Sequence, residues 1–154
     1  MSAKSINYQI ISNNELDAQS LELIKEAKNA LKNAYAPYSK FKVGAAILLD
    51  NGEIITGSNQ ENVAYPSGLC AERVALYYAQ HKYPKAKVQT LVIAAENNGQ
   101  ELTKPIVPCG SCVQVMSENV KRSGKTFEVI LCANEYVYIV PDALSFIPFR
   151  FESL

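Results

Sequence analysis

The spacing of apolar residues predicts a chain in which helices alternate with strands. Between residues 15 and 35 the apolar positions recur at helical intervals, and Ser12 with Glu15 has the form of a capping box. This helix should end before Pro37, because the residue preceding a proline disfavours helical backbone. Its predicted apolar face consists of Leu16, Leu21, Ile24, Ala27, Leu31 and Ala34.

The rest of the chain divides into apolar runs of strand length and two further helical segments. A tight-turn signal at residues 50–53 joins the first two runs and favours an antiparallel hairpin. Gly124 should end the last helix. The predicted strands are residues 43–49, 53–57, 88–95, 127–133 and 136–140, and the predicted helices are residues 70–80 and 109–122.

This order of elements predicts an α/β fold built in layers, because helices bury their apolar faces best against a sheet. The strand-helix-strand-helix-strand centre favours parallel pairing, while the hairpin is antiparallel. We therefore expect a three-layer α/β/α sandwich with a mixed sheet of about five strands. A length of 154 residues fits one domain covering 1–154.

Charge and hydropathy exclude several functional classes. The formal net charge is zero, which is unlike the basic surface of a nucleic-acid-binding protein, so a small substrate fits better. No apolar run approaches the roughly 18 residues that cross a bilayer, and the polar start lacks the layout of a signal peptide. We therefore expect a cytoplasmic protein without a membrane partner. In that compartment four cysteines indicate metal binding or catalysis before disulfides.

Three cysteines lie at the starts of two predicted helices. Cys70 begins the first, and Cys109 and Cys112 begin the second, directly after Pro108. The partial positive charge at a helix N-terminus favours the thiolate, which is the form that binds zinc. The spacing of Cys109 and Cys112 allows both sulfurs to reach one metal ion from a single turn.

Three protein ligands are typical of catalytic zinc, whose fourth position is left for water. A C-x-x-C pair alone is equally typical of a redox centre or of half a structural zinc site. A structural site would need a fourth ligand, but Cys132 lies within a strand and His81 at a helix end, without ligand-like spacing. Glu72, two residues after Cys70, is a candidate general acid/base.

These residues carry a resemblance to a known family. A metal ligand, one residue and Glu, followed later by Pro-Cys-x-x-Cys, is the signature of the zinc-dependent deaminases. With Cys70 as the first ligand, the chain resembles the free-nucleoside cytidine deaminases. The resemblance implies one zinc ion per chain and hydrolysis of cytidine and 2′-deoxycytidine to uridine and 2′-deoxyuridine. In that reaction zinc-activated water attacks pyrimidine C4, and ammonia is released.

Two upstream motifs extend the resemblance. The segment YSKFKVGAA at residues 38–46 is similar to the family's first strand, and its Phe41 would pack against the pyrimidine. The segment NQEN at residues 59–62 is similar to the family's Asn-x-Glu-Asn, so Asn59 and Glu61 would bind the ribose 3′-hydroxyl. Taken alone, Asn59 and Glu61 suit hydroxyl recognition but are more typical of a polar turn, and Phe41 alone is more typical of a core residue.

The same resemblance implies three further roles. The backbone N–H of Ala71 would meet the pyrimidine O2, and Tyr65 would line the site of a neighbouring subunit in a homotetramer with shared active sites. Arg73 would donate to the ligand sulfurs from behind them. Val113, Val63 and the tail at residues 147–151 depart from the family pattern, which affects substrate preference and subunit contacts.

Three other functions remain open at this level. Deamination of a modified or antibiotic cytosine nucleoside would use the same chemistry, although the ribose motif favours a normal sugar. A non-catalytic zinc-stabilised binding module would have no use for Glu72. Nucleic-acid editing would call for a basic surface with stacking aromatic residues, which the neutral composition does not provide.

Overall fold

A computed structural model describes residues 6–152. Within this range one mixed sheet lies between helices on both faces. The strands of the described residues are β1 Gln9–Ser12, β2 Phe41–Leu49, β3 Ile54–Ser58, β4 Val88–Asn97, β5 Gln100–Glu101, β6 Glu128–Cys132 and β7 Tyr136–Val140. Their α-helices are α1 Ala18–Ala30, α2 Ala71–Lys82 and α3 Gly110–Ser123.

The sheet confirms the predicted α/β sandwich but has more strands than expected. Its order is β1-β7-β6-β4-β2-β3, and β5 pairs with the end of β4. The described part of the chain thus contains seven strands instead of about five. β1 and β5 were not predicted from the sequence. β1 is an edge strand whose Ile10 is 60% exposed, so it lacks the buried alternation that marks a strand, and β5 has only two residues.

Parallel pairing is confined to one position in the described sheet. β4 and β6 pair in parallel, whereas the predicted hairpin of β2 and β3 is antiparallel, as expected. β3 and β4 are not neighbours, because β2 lies between them and runs antiparallel to both. They therefore point the same way, and α2 connects them across one intervening strand.

The two faces of the sheet bury separate cores, which gives the expected three layers. α1 covers one face, where Leu23, Ile24 and Ala27 pack on residues such as Val92 and Ile130. The other face is covered by α2 and α3. Their contribution to this second core consists of Ala71, Ala75, Leu76, Ala79, Cys112 and Met116.

Glycine allows α2 to approach the sheet closely. A Cβ atom added to Gly57 in β3 would lie 2.6 Å from both the Ala71 carbonyl oxygen and the Ala75 amide nitrogen. Such a distance is below van der Waals contact, so no side chain fits there without movement of the helix. The close approach sets the position of the first turn of α2, where Cys70 and Glu72 lie.

The boundaries predicted for α1 are wrong at both ends. Asp17, not Ser12, caps the helix: its carboxylate accepts from the Ser20 N–H at 2.7 Å, while Ser12 belongs to β1. The helix gives way to a 3₁₀ turn at residues 31–33 instead of continuing to Tyr35. The Tyr35 backbone is extended because it exchanges hydrogen bonds with the loop at Asn59 and Glu61.

The predicted apolar face of α1 is also partly wrong. Leu21 is 45% exposed, whereas the unpredicted Leu23 is buried. Because the helix begins three residues later than predicted and packs through Leu23, Ile24 and Ala27, its buried stripe is rotated from the expected one. No helix in the described range combines the length and apolarity needed to span a membrane.

Candidate metal centre and active site

Three cysteine sulfurs meet where the first turns of α2 and α3 come together. Cys70 and Cys109 are the N-cap residues of these helices, and both have the same extended backbone conformation. Cys112 lies in the first turn of α3 and is buried. The Sγ atoms of Cys70 and Cys109 are 3.8 Å apart, those of Cys109 and Cys112 are 3.4 Å apart, and all three lie within 4.8 Å of one another.

This arrangement fits one zinc ion. Sulfurs placed tetrahedrally at about 2.3 Å from zinc would be separated by roughly 3.8 Å. The Cys70–Cys109 distance already has this value, and the Cys109–Cys112 distance would need only a small widening. Three protein ligands would leave the fourth coordination position of a zinc ion for water, as in catalytic zinc sites.

The surroundings of Cys70 favour its thiolate. Hydrogen bonding from Cys112 lowers the pKa of Cys70 to about 5, against the effect of burial, and Arg73 and Cys109 lower it further. Hydrogen bonding to Cys70 and burial raise the pKa of Cys112, which keeps its proton within the metal-free cluster. One thiolate in the cluster is therefore available at neutral pH to begin metal binding.

Arg73 contacts the cluster from the side of α2. Its Nη2 donates to Cys70 Sγ at 3.8 Å, while its Nε is buried and has no hydrogen-bond partner among the described residues. A guanidinium at this distance opposes the negative charge of the thiolates. Arg73 therefore lies beside one of the three sulfurs, and its support of a bound metal stays a prediction.

Glu72 is the buried acidic residue beside the three sulfurs. Its side chain belongs to the first turn of α2, only 4% of the residue is exposed, and it lines the cleft in front of the cluster. Burial raises the pKa of Glu72 above its ordinary value, and the charge of Cys70 adds to this effect. A carboxyl group with a raised pKa at the wall of a cleft is suited to accept and return a proton.

The cleft has a volume of about 810 Å³, within the range of small-molecule sites. Cys70, Cys109, Glu72 and Arg73 lie at one part of its wall. The residues that the sequence assigned to substrate binding also line it: Phe41, Asn59, Glu61 and Tyr65. Four segments of the chain, near residues 40, 60, 70 and 107, thus form one cavity.

Asn59 and Glu61 are both held by the segment that leads into β2. The Asn59 side chain donates to the Phe41 carbonyl at 2.9 Å and accepts from the Val43 N–H at 2.8 Å. Its amide nitrogen carries a second N–H, so Asn59 serves the fold and still offers a donor. The Glu61 carboxylate accepts from the N–H groups of Tyr38 and Ser39 at 3.0 and 3.3 Å.

Ala71 and Tyr65 are the other two residues predicted to bind substrate. Ala71 is buried at the first position of α2, where a backbone N–H has no carbonyl of its own helix to donate to. Tyr65 lies on the rim of the cleft and is 80% exposed. A tyrosine with so much free surface does little for the fold of its own chain.

Part of the cleft was not predicted from the sequence. Ile106 and Val107, just before Pro108, form an apolar wall in a segment interpreted only as loop. Ser39 also lines the cleft. The place of Ile106 and Val107 in the sequence could have predicted this wall, because they lie two to three residues before the metal ligand Cys109 and so must be near the site.

Comparisons with known proteins agree with this site. The sequence model of the cytidine and deoxycytidylate deaminase zinc-binding region matches residues 17–124. The cytidine deaminase of Halalkalibacterium halodurans is 45% identical over 96 residues, which cover 62% of this chain and 68% of that protein. The cytidine deaminase of Sporosarcina psychrophila is 43% identical over 97 residues, covering 63% and 67%.

Solved structures show the same likeness in three dimensions. The crystal structure of cytidine deaminase from Burkholderia pseudomallei has a TM-score of 0.71 and 35% identity, covering 88% of this chain and all of that one. That of the Mycobacterium tuberculosis cytidine deaminase has a TM-score of 0.68 and 30% identity, covering 89% of this chain and all of that one. The match includes the three-cysteine cluster and Glu72, which lie between residues 17 and 124. This chain therefore belongs to the zinc-binding cytidine and deoxycytidylate deaminase family.

Proposed function

We propose that the protein deaminates cytidine and 2′-deoxycytidine hydrolytically to uridine and 2′-deoxyuridine, with release of ammonia. The observation that carries the proposal is the buried Glu72 beside a three-cysteine metal site, in the wall of a cleft of nucleoside size. The names of the matched relatives and structures support cytidine as the substrate.

Cys70, Cys109 and Cys112 would hold zinc, which when bound would supply the Lewis acidity that makes water nucleophilic near neutral pH. Glu72 then has two tasks at the reacting pyrimidine. Its carboxylate accepts a proton from the attacking water and donates a proton to the ring nitrogen N3, which allows the C4 carbon to accept the water oxygen. Glu72 next takes the proton of the hydroxyl group now on C4 and passes it to the amino group, so that ammonia leaves and the C4 carbonyl of uridine remains.

The remaining cleft residues orient the nucleoside. We assign Phe41 to the face of the pyrimidine and the Ala71 N–H to its O2 atom, because that N–H lies at the positive end of α2. Asn59 and Glu61 are assigned to the ribose 3′-hydroxyl, for which they offer one donor and one acceptor. The 2′-hydroxyl has no assigned partner, which fits a substrate pair of cytidine and deoxycytidine.

A free nucleoside fits the cleft better than a nucleotide. Among the described residues that line it, Arg73 is the one cation, and its guanidinium already faces Cys70. A 5′-phosphate would thus enter without a charged partner, at a cost in desolvation. A modified cytosine nucleoside with a normal sugar remains the alternative within this chemistry.

The proposal extends to assembly and location. We propose a homotetramer in which Tyr65 completes the pocket of a neighbouring subunit, with residues 1–154 forming one domain in the cytoplasm. The support is a group of large apolar side chains with little cover from their own chain: Val63, Tyr65, Val107, Phe149 and Phe151. Light scattering of the active enzyme should give the mass of four chains, and an active monomer would contradict shared sites.

The activity is tested by incubating the purified zinc-loaded protein separately with cytidine, deoxycytidine, cytosine and deoxycytidine monophosphate. Loss of the amino-pyrimidine absorbance and release of ammonia should be fast for the two nucleosides and slow for the base and the nucleotide. Absence of turnover with every nucleoside would contradict the proposal. Faster turnover of deoxycytidine monophosphate than of the two nucleosides would identify the substrate as a nucleotide.

A further inference from the structure

The backbone reverses direction immediately before β2. Lys40 has a φ of 57°, a left-handed conformation that a non-glycine residue keeps only where the surrounding structure imposes it. The surroundings here are two hydrogen bonds: the Lys40 N–H donates to the Ala36 carbonyl at 3.2 Å, and the Asn98 N–H donates to the Lys40 carbonyl at 3.2 Å. The turn is therefore held from both sides, and it brings the backbone of Ser39 toward the cleft.

The Glu61 carboxylate is attached to this turn through one of its oxygens. The N–H groups of Tyr38 and Ser39 both donate to Glu61 Oε2, at 3.0 and 3.3 Å. Two donors on one oxygen orient the carboxylate plane and leave the acceptor capacity of Oε1 for another group. Glu61 lines the cleft, so that group is a ligand in the cleft.

The Ser39 side chain connects this carboxylate to Phe41. The Ser39 Oγ accepts from the Phe41 N–H at 3.0 Å, which leaves its own proton for an acceptor. Hydrogen bonding from the Ser39 side chain is the main reason why the pKa of Glu61 lies below its ordinary value, with smaller contributions from the Tyr38 and Ser39 N–H groups. Ser39 thus contacts the residue assigned to the sugar through its N–H and the residue assigned to the base through its Oγ.

We propose that Ser39 is a positioning residue that sets the geometry of Glu61 relative to Phe41 and thereby makes the enzyme demand a sugar 3′-hydroxyl. The inference rests on the proposed function, because it concerns how the same cleft distinguishes nucleosides. Ser39 acts through its neighbours: it orients the acceptor for the hydroxyl and anchors the backbone that carries the aromatic ring. A carboxylate left free to rotate would still accept a hydroxyl, but with less selectivity for its position.

The test compares Ser39→Ala with Ser39→Thr, which keeps a hydroxyl, and with Ser67→Ala. Ser67 is an exposed serine in the same loop region as Tyr65 and is not among the residues lining the cleft. The measurement is the ratio of kcat/KM for deoxycytidine to that for 2′,3′-dideoxycytidine, with zinc content and Tm measured alongside. We expect Ser39→Ala to lower this ratio about tenfold, the size of one charge-assisted hydrogen bond. Ser39→Thr and Ser67→Ala should keep it.

An unchanged ratio in Ser39→Ala would overturn the proposal. So would an equal loss in Ser39→Thr and Ser39→Ala at full zinc occupancy, because the hydroxyl would then not be the relevant group. If Ser39→Ala loses stability, a fall in kcat/KM by the same factor for both nucleosides would also count against it, since positional control predicts a change in the ratio.

A second readout does not depend on activity. In a ¹³C NMR titration of the side-chain carboxyl groups, the Glu61 pKa should rise toward its ordinary value in Ser39→Ala and stay low in Ser39→Thr. An unchanged titration would contradict the link between Ser39 and Glu61. Inactivity of the wild type toward all nucleosides would contradict the proposed function, while the titration would still decide whether Ser39 positions Glu61.

Discussion

The guanidinium of Arg73 lies 3.8 Å from the sulfur of Cys70, a ligand of the proposed zinc site, and both residues belong to the start of α2. Three thiolates and one zinc ion carry one more negative than positive charge. In a partly desolvated site this excess is costly unless a cation or a helix N-terminus opposes it. Among the described residues that line the cleft, Arg73 supplies the cationic part of that compensation.

We therefore expect Arg73→Gln to bind zinc about 10–100 times more weakly, as typical for loss of a group that supports metal ligands. Competition with a chromophoric chelator measures the affinity. Arg122→Gln is the matched control, because Arg122 lies in the last turn of α3 and bonds to Gln80 instead of a sulfur. Equal affinities for Arg73→Gln and wild type would remove Arg73 from the metal site.

Zinc content should distinguish the three ligand cysteines from the fourth cysteine when each is replaced. Cys70→Ala, Cys109→Ala and Cys112→Ala should each lose most of the zinc, because the remaining pair of thiolates forms a weaker site. Cys132→Ala is the control: Cys132 is buried in the other core, and burial raises its pKa to about 12, so it is not a ligand. Metal analysis of the four variants identifies the zinc ligands. Full zinc occupancy in any of the first three variants would show that the replaced cysteine is not a ligand.

Glu72→Gln should retain zinc and the native fold but lose at least about 10²–10⁴-fold in kcat, as expected for removal of a positioned proton-transfer group. The amide keeps the shape of the side chain and cannot carry the proton. Glu118→Gln, an exposed change on α3, should leave the rate unaltered. Near-wild-type turnover by Glu72→Gln would contradict the assignment of Glu72 as the acid/base.

Gly57→Ala should destabilise the protein by at least about 1–3 kcal/mol, because the new methyl group overlaps the backbone of α2 at Ala71 and Ala75. Displacement of α2 would also move Cys70, so zinc affinity should fall with Tm. Gly110→Ala serves as control, since no atom lies within 4 Å of an added Cβ at that helix start. Equal Tm values for the two variants would show that α2 adjusts without cost.

Glu128 should cause a pH-dependent loss of stability. Burial, and secondarily the charge of Asp17, raise the pKa of Glu128 in the folded state. The unfolded chain therefore releases this proton at lower pH than the folded protein does, so folding becomes less favourable as pH rises through that interval. Glu128→Gln should raise the free energy of unfolding at pH 7, and Tm with it. For a half-exposed group the gain should be less than about 1 kcal/mol, and it should be small near the unfolded pKa of about 4.

The control for that prediction is Glu118→Gln, which changes an exposed carboxylate. Scanning calorimetry at the two pH values measures both variants. A gain from Glu128→Gln that is equal at pH 7 and at acid pH would show that the effect does not come from ionisation.

The sequence by itself determined the chemistry of the site. Cys109 and Cys112 are separated by one helical turn, and Glu72 follows Cys70 by two residues, so local helix geometry brings the members of each pair close together. The signature also indicated which cysteines belong together. Cys132 lies within a predicted apolar strand without ligand-like spacing, and the structure buries it in the core.

The boundaries of the elements and the outer strands depended on the tertiary structure. β1 has no apolar alternation of its own and exists because β7 offers it a free edge, and Tyr35 leaves helical geometry because the loop at Asn59 pairs with it. The preference of α1 for Leu23 over Leu21 is set by the sheet surface on which it packs. The helix and strand propensities of a short segment carry no information about these tertiary contacts.

The substrate cleft also required the folded chain. Glu61 was assigned by resemblance, but the reason for its orientation is a turn at residues 38–40 that reaches it only after β2 has paired with β3 and β4. The meeting of Cys70 with Cys109 likewise depends on α2 and α3 packing on the same face of the sheet. Residue types and short spacings determine which groups are reactive, whereas long-range packing decides where these groups meet. The physical reason is that contacts between distant segments depend on both segments and cannot be inferred from either one alone.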